Sequence, residues 1–264
     1  MTHSLLLIDP QNDFCDISNQ APALAVGGAH ADMQRLSQWL REHGAEDILV
    51  TLDSHHRVGI ERPGFWKNVQ PFTQIALVDV LDGKYQPKNP EDLPKVVQYL
   101  TSLEEQGRFK LMVWPVHCEI GTWGHNIHSD VQRAIAQWEE DNVQVSKKVF
   151  KGMNPWTEHY SALRAEVVTE DEHTQTNMEL LRWAQAQEKI YVAGEASSHC
   201  VRYTVEMLIE EDPGLASKLV ILVDCMSPVG GFEASQQAFF DNVQKLGARL
   251  EYAAPTSSPE YNMS

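Results

Sequence analysis

The run Lys189-Ile190-Tyr191-Val192-Ala193-Gly194-Glu195-Ala196-Ser197-Ser198-His199-Cys200-Val201-Arg202-Tyr203 reads as a short buried strand, a turn of small residues, and a helix that begins at Cys200. The first N–H groups of a helix lack intrahelical partners and carry the positive end of its dipole, so a thiol placed there ionises more readily than a free one. The same N–H groups face any carbonyl the sulfur attacks and can hold the oxyanion that forms. The alternative reading of Cys200 is a buried, inert cysteine. A thiol nucleophile also needs a base that takes its proton and later returns it to a leaving amine, a task for a carboxylate whose pKa is raised. Asp9, within Ile8-Asp9-Pro10-Gln11-Asn12-Asp13-Phe14-Cys15, is the candidate; otherwise it turns the chain ahead of Asn12. Lys151 supplies a fixed cation for both groups, or is a solvated lysine like Lys147 and Lys148 beside it.

A second set is Asp53, His55 and His117. Two imidazoles and one carboxylate are the donors used by zinc and by iron(II) sites with open positions. Glu61 could add a further ligand, although a solvated loop glutamate is the favoured reading. His56, His125, His128 and His173 carry no claim beyond ordinary hydrogen bonds or surface positions.

Strand-like runs alternate with helix-period segments, the pattern of βαβ units and a parallel sheet. Strands are expected at Ser4–Ile8, Asp47–Thr51, Lys110–Val113, Val143–Val149, Ile190–Ala193 and Leu219–Val223, with Arg249–Tyr252 as a possible addition. Helices are expected at Ala31–His43, Leu93–Leu103, from a cap at Ser129 through Trp138, Thr176–Ala186, behind Cys200 to Pro213-Gly214, and at Glu233–Leu246. In open parallel sheets ligands bind outside the carboxyl ends of the strands. Five consecutive strands would deliver Asp9, Asp53 with His55, His117, Lys151 and Cys200 to one such edge. The fold class is therefore α/β, a three-layer α/β/α arrangement around a central, mostly parallel sheet, in one domain over 1–264. The segment 61–92, with Pro63, Pro71, Pro87 and Pro90, breaks the alternation and reads as a long inserted loop, a lid or an interaction surface. The tail from Pro255 is expected to fray.

At 264 residues the chain can bury a sizeable core, and its net charge of −16 argues against nucleic acid or an anionic membrane as partner. The first strand is too short for a signal-peptide core or a membrane span, which makes the cytoplasm the default location. Four cysteines, Cys15, Cys118, Cys200 and Cys225, in such a chain read as thiols rather than a disulfide frame. Self-association is open, since nothing in the sequence locates an interface.

With these residues assembled, the chain resembles the nicotinamidases, within the isochorismatase-like cysteine hydrolases, from Leu5 to about Val223. The matching motifs are Ile8-Asp9-Pro10-Gln11-Asn12-Asp13-Phe14, Asp53-Ser54-His55, Trp114-Pro115-Val116-His117-Cys118 with Gly121-Thr122, Lys151-Gly152 with Tyr160-Ser161-Ala162, and Gly194 through Val201. The resemblance implies a catalytic triad of Asp9, Lys151 and Cys200 and a divalent metal on Asp53, His55 and His117, zinc ahead of iron or manganese. It implies an oxyanion hole from the N–H groups of Ala196 and Cys200, with a cis peptide between Glu195 and Ala196. It also implies a small amide substrate whose ring lies among Phe14, Trp114, Tyr160 and His199; core packing is the other reading of Phe14 and Trp114. The chain departs from the family at Ser198, where an acid is usual, and around Glu61–Phe65. Rival readings are a carbamoyl or ureido amidohydrolase, an isochorismatase-type hydrolase, and a catalytically silent scaffold that docks through its insertion.

Overall fold

The computed structural model describes residues 2–253; the tail from Pro255 lies outside the described residues. In chain order the elements are β1 (Ser4–Ile8), α1 (Ala29–His43), β2 (Ile48–Asp53), β3 (Thr73–Ile75), α2 (Leu77–Leu81), α3 (Leu93–Glu105), β4 (Leu111–Val113), α4 (Ser129–Asn142), β5 (Lys147–Lys151), α5 (Met178–Ala186), β6 (Ile190–Gly194), α6 (Cys200–Glu211), β7 (Leu219–Leu222), α7 (Glu233–Leu246) and β8 (Arg249–Glu251). Six strands form one sheet in the order β5-β2-β1-β6-β7-β8, with every pairing parallel.

The period-2 alternation of β1 explains the layers. Leu5 and Leu7 pack with Met33, Leu36 and Leu40 of α1 and Val131 and Ile135 of α4. Leu6 and Ile8 face the other way, onto Leu180 of α5, Val201, Val205 and Leu208 of α6, and Phe239 and Val243 of α7. A strand apolar on both sides is what a sheet covered by helices on both faces requires. The three-layer α/β/α expectation holds. Among the described residues no helix is long and apolar enough to cross a membrane.

Two expectations change. The strand at Leu111–Val113 is not in the central sheet; it pairs antiparallel with β3 in a two-stranded sheet of its own. The inserted segment is not a bare loop either. Its Phe65, Trp66, Ile75 and Val80, with Ile60 just before it, bury against Val96, Tyr99, Leu100 and Leu103 of α3 and Leu111 and Val113 of β4, a third apolar cluster. Boundaries shift as well: β5 starts at Lys147 rather than Val143, and His128 rather than Ser129 caps α4, its side chain accepting from the Asp130 N–H.

Candidate active site

The strand order fixes where a site can form. From β1 the chain proceeds to β2 and β5 on one side and then to β6, β7 and β8 on the other, so the connections leaving β1 and β6 diverge and leave a crevice between them. Asp9 follows β1, and Cys200 follows β6 as the first residue of α6. β2 ends at Asp53 and β5 at Lys151, paired in register with each other. Close strand approach here depends on Gly194, where an added Cβ would lie 1.9 Å from the Ile8 carbonyl oxygen. Gly152, with φ +80°, lets His55 pack against the backbone after Lys151; a Cβ there would sit 2.7 Å from His55 Cε1.

Lys151, 2 % exposed, is the hub of this edge. Its Nζ lies 2.9 Å from Asp9 Oδ2, 2.8 Å from Asp53 Oδ1, 3.0 Å from the His159 carbonyl oxygen and 3.5 Å from Cys200 Sγ. Asp9, fully buried with φ 47°, also accepts from Thr51 Oγ1 at 2.5 Å and is within hydrogen-bonding reach of Cys200. The solvated reading of Lys151 is therefore excluded by burial. All four cysteines are buried free thiols.

Burial is the largest influence on these groups. It raises Asp9 above the ordinary carboxylate range, with Lys151 opposing and Asp53 adding to the rise. Burial would also raise Asp53, but the Lys151 ammonium 2.8 Å away helps hold it well below that range. Lys151 stays charged because Asp53 and Asp9 outweigh its desolvation. Cys200 departs from expectation: burial, Asp9 and Asp53 push its thiol well above the ordinary value, and Lys151 offsets this only in part. The helix start alone does not decide the thiol, because two carboxylates stand in front of it.

Asp53, His55 and His117 converge, with one potential ligand atom from each within 4.8 Å of the others. Each ring is oriented by a carbonyl, which can only accept: His55 Nδ1 lies 3.1 Å from the Gly152 oxygen and His117 Nδ1 2.8 Å from the Pro115 oxygen. His55 Nδ1 must then carry the hydrogen, so its Nε2 presents a lone pair; His117 Nδ1 also faces Arg62 Nη1 at 3.0 Å, a group that can only donate, so the carbonyl does not fix its tautomer. The Nε2 atoms of His55 and His117 lie 2.7 and 3.3 Å from Asp53 Oδ2. Burial, then Arg62, lowers His55 to about 3, and the same causes lower His117, so both rings are neutral. Three potential ligand atoms facing one another fit a divalent cation between them. Glu61 is 2 % exposed, contrary to the solvated reading, and its Oε1 lies 3.6 Å from His55 Nδ1, on the side away from the three converging atoms.

Above these groups a narrow pocket is lined by Phe14, Trp114, Tyr160 and His199, the four residues expected around a substrate, together with Asp53, His117, Ala196 and Cys200. Trp114 Nε1 donates to the Tyr160 hydroxyl at 3.1 Å, and the His199 ring lies edge-on to Trp114 at 5.3 Å between centroids. At the mouth of α6, no acceptor among the described residues takes the N–H of Ala196 or of Cys200, and the Glu195–Ala196 peptide is cis. Ser198 stands where the resemblance has an acid; its hydroxyl accepts from the Val229 N–H at 3.0 Å and pairs with His199 Nδ1 at 2.8 Å.

No family model and no curated protein matches the sequence. Solved structures do. The yeast nicotinamidase aligns over 94 % of this chain and 99 % of its own, with TM-score 0.66 and 20 % identity. The fold is that of the nicotinamidases. A nicotinamidase/pyrazinamidase from Acinetobacter baumanii aligns over 96 % of both chains with TM-score 0.65 and 19 % identity. The pyrazinamidase of Pyrococcus horikoshii, determined in complex with zinc, gives TM-score 0.52 at 16 % identity over 96 % of this chain and 99 % of its own.

On this nicotinamidase fold the structure adds residues that the sequence reading passed over. Gln11 braces the ends of β1 and β2, accepting from the Asp53 N–H at 2.7 Å and donating to the Asp53 carbonyl at 2.8 Å. Asp13 accepts from the Cys118 N–H at 2.7 Å and so fixes the His117 loop. Arg62, fully buried, places Nη1 3.0 Å from His117 Nδ1 and 3.2 Å from the Pro115 oxygen. Glu158 and His159 line the pocket. The Gly152 N–H donates to His159 Nδ1 at 3.2 Å, which leaves the hydrogen on Nε2, where it has no partner among the described residues. The alternation Gln11–Asp13 around a strand end and the acid just ahead of Tyr160-Ser161 were the available signals.

Proposed function

We propose that this chain is a metal-assisted cysteine amidohydrolase that converts nicotinamide to nicotinate and ammonia through a thioester on Cys200. The observation that carries the reading is the buried cation of Lys151, which touches Asp9, Asp53 and Cys200 at once and ties the thiol and its base to the Asp/His/His set beneath an aromatic pocket. Asp9, raised by burial, takes the thiol proton as Sγ attacks the amide carbonyl. The N–H groups of Ala196 and Cys200 hold the oxyanion. Asp9 then gives its proton to the amide nitrogen as the C–N bond breaks, and ammonia leaves. A water entering that place loses a proton to Asp9 and adds to the thioester carbonyl; collapse expels sulfur and yields the acid. A divalent metal on Asp53, His55 and His117 supplies a Lewis acid that a ring nitrogen of the substrate can meet.

Ammonia release from nicotinamide, measured with and without chelator on the purified protein, tests the reading. Release that falls on chelation is the expected result. No release, from protein whose Cys200 still alkylates, removes nicotinamide and leaves a cysteine hydrolase for another amide.

A further inference from the structure

Behind the oxyanion turn, on the side away from Lys151, lies a second pair of buried acids. Glu195 is fully buried and Asp32, in the first turn of α1, is 2 % exposed. Ser227, in the loop after β7, joins them. Its N–H donates to Glu195 Oε2 at 3.1 Å, its hydroxyl donates to Asp32 Oδ2 at 2.5 Å, and its carbonyl accepts from the Ser197 N–H at 2.9 Å. Asp32 has a further donor in Arg35, one turn along α1. Every oxygen of the pair is thus served by a donor except Glu195 Oε1, which has no solvent exposure and no donor among the described residues. The two side chains are close enough to hydrogen-bond to each other.

Two carboxylates in contact and out of water cannot both ionise. Asp32 holds the cation and the hydroxyl, so the charge stays there and the proton belongs on the oxygen that lacks a donor. We propose that Glu195 is a neutral carboxylic acid whose O–H donates to Asp32, and that this strut positions the adjoining Ala196 N–H in the oxyanion hole. The role is one of positioning, since Glu195 touches no reacting atom, and it rests on the amidase reading above. Burial opposes a charge on Glu195 most, Asp32 from α1 and Asp16 from the loop before it act in the same direction, and the Ser227 N–H opposes them only in part. The neighbouring thiols Cys15 and Cys225 are neutral and add no cation.

Glutamine reproduces a protonated glutamate, with one oxygen to accept from Ser227 and one N–H to donate to Asp32. Methionine has similar length and neither group. Glu195→Gln is expected to keep kcat for nicotinamide within about threefold, whereas Glu195→Met lowers kcat on the order of 100-fold with little change in KM. A Gln variant as impaired as the Met variant overturns the proposal. The second arm needs no substrate. An acid neutral when folded and ionised when unfolded lends stability that is complete below its ordinary value of 4.5 and declines as pH rises above it. Thermal unfolding of wild type and Glu195→Gln should therefore diverge in favour of Gln as pH rises from 4.5 to neutrality and beyond. A difference that stays flat with pH means Glu195 is charged in the fold, and the proposal fails. If the wild type hydrolyses no amide, the positioning role falls with the proposed function, while the unfolding arm still decides the protonation of Glu195.

Discussion

Asp9 and Asp53 share Lys151 between them, whereas Asp32 and Glu195 meet with no cation in between and with Arg35 only on the outer side of Asp32. Both pairs are out of water, and each meets the pocket wall at one place: Asp53 lines it, and so does Ala196, the residue after Glu195. Where a cation intervenes, burial is answered by charge: Asp53 stays ionised and Asp9 is raised to where it can accept and release a proton. Where none intervenes, burial is answered by a proton that stays put. One arrangement makes a base, the other a beam. A carboxyl group in this molecule takes its role from what stands beside it.

The comparison breaks most completely at the sulfur. Cys200→Ala removes the nucleophile and should lower ammonia release by about 10⁴-fold or more, while thermal unfolding shifts by only a few degrees. Substantial turnover in that variant would sink the thioester route. Asp9→Asn should cost about 10³-fold in kcat and at the same time make the thiol more acidic. The sign follows from Asp9 being one of the groups that raise Cys200; without its charge and its hydrogen bond the thiolate persists to lower pH. Rates of alkylation against pH read this directly, and a profile displaced upward would contradict the arrangement. Lys151→Met takes the cation from between two buried carboxylates. It is expected to destabilise the fold by about 3–5 kcal/mol in denaturant titration. Asp9, relieved of the cation that lowers it, should then hold its proton to higher pH, moving the acid limb of the rate profile upward. The smallest effect on turnover sits on the metal side: His117→Ala removes a ligand and should weaken metal binding by more than the about 10–100-fold that loss of a partner behind a ligand costs, read by metal titration, and raise KM more than it lowers kcat.

Much of this edge was readable because chemistry-bearing residues follow directly on apolar runs. Leu5–Ile8 and Ile190–Ala193 mark buried strands, and whatever comes next, Asp9 or the turn to Cys200, must lie at their carboxyl ends. The third strand misled for a physical reason. Leu111–Val113 has the composition of a sheet strand, and only its partner, the three residues Thr73–Ile75 in a proline-rich stretch, reveals that it belongs elsewhere. His117 reaches the site anyway, because the backbone after β4 is tied across to His55 through the Cys118 carbonyl. Glu61 looks like a solvated loop charge in sequence; the apolar cluster of Phe65, Trp66 and α3 around this segment goes with its burial and that of Arg62 beside it. The acidity of Cys200 is not legible in sequence because helix position is a local property, whereas burial in the folded chain, and then Asp9 and Asp53 from strands remote in sequence, act on the sulfur.

The place of β1 in the sheet has a bearing on how the protein is made. Leu5 pairs with Ile48 on one side and with Tyr191 on the other. At roughly 5–20 residues per second of synthesis, the second partner emerges on the order of ten seconds or more after the first. Throughout that interval the central strand, apolar on both faces, presents an open edge, and the base is present without its nucleophile. Until β6 docks, the growing chain has an exposed seam prone to mispairing; the event that closes the seam is also the one that carries Cys200 to Asp9, so a nascent chain gains its reactive thiol site only when its sheet is safe from its neighbours.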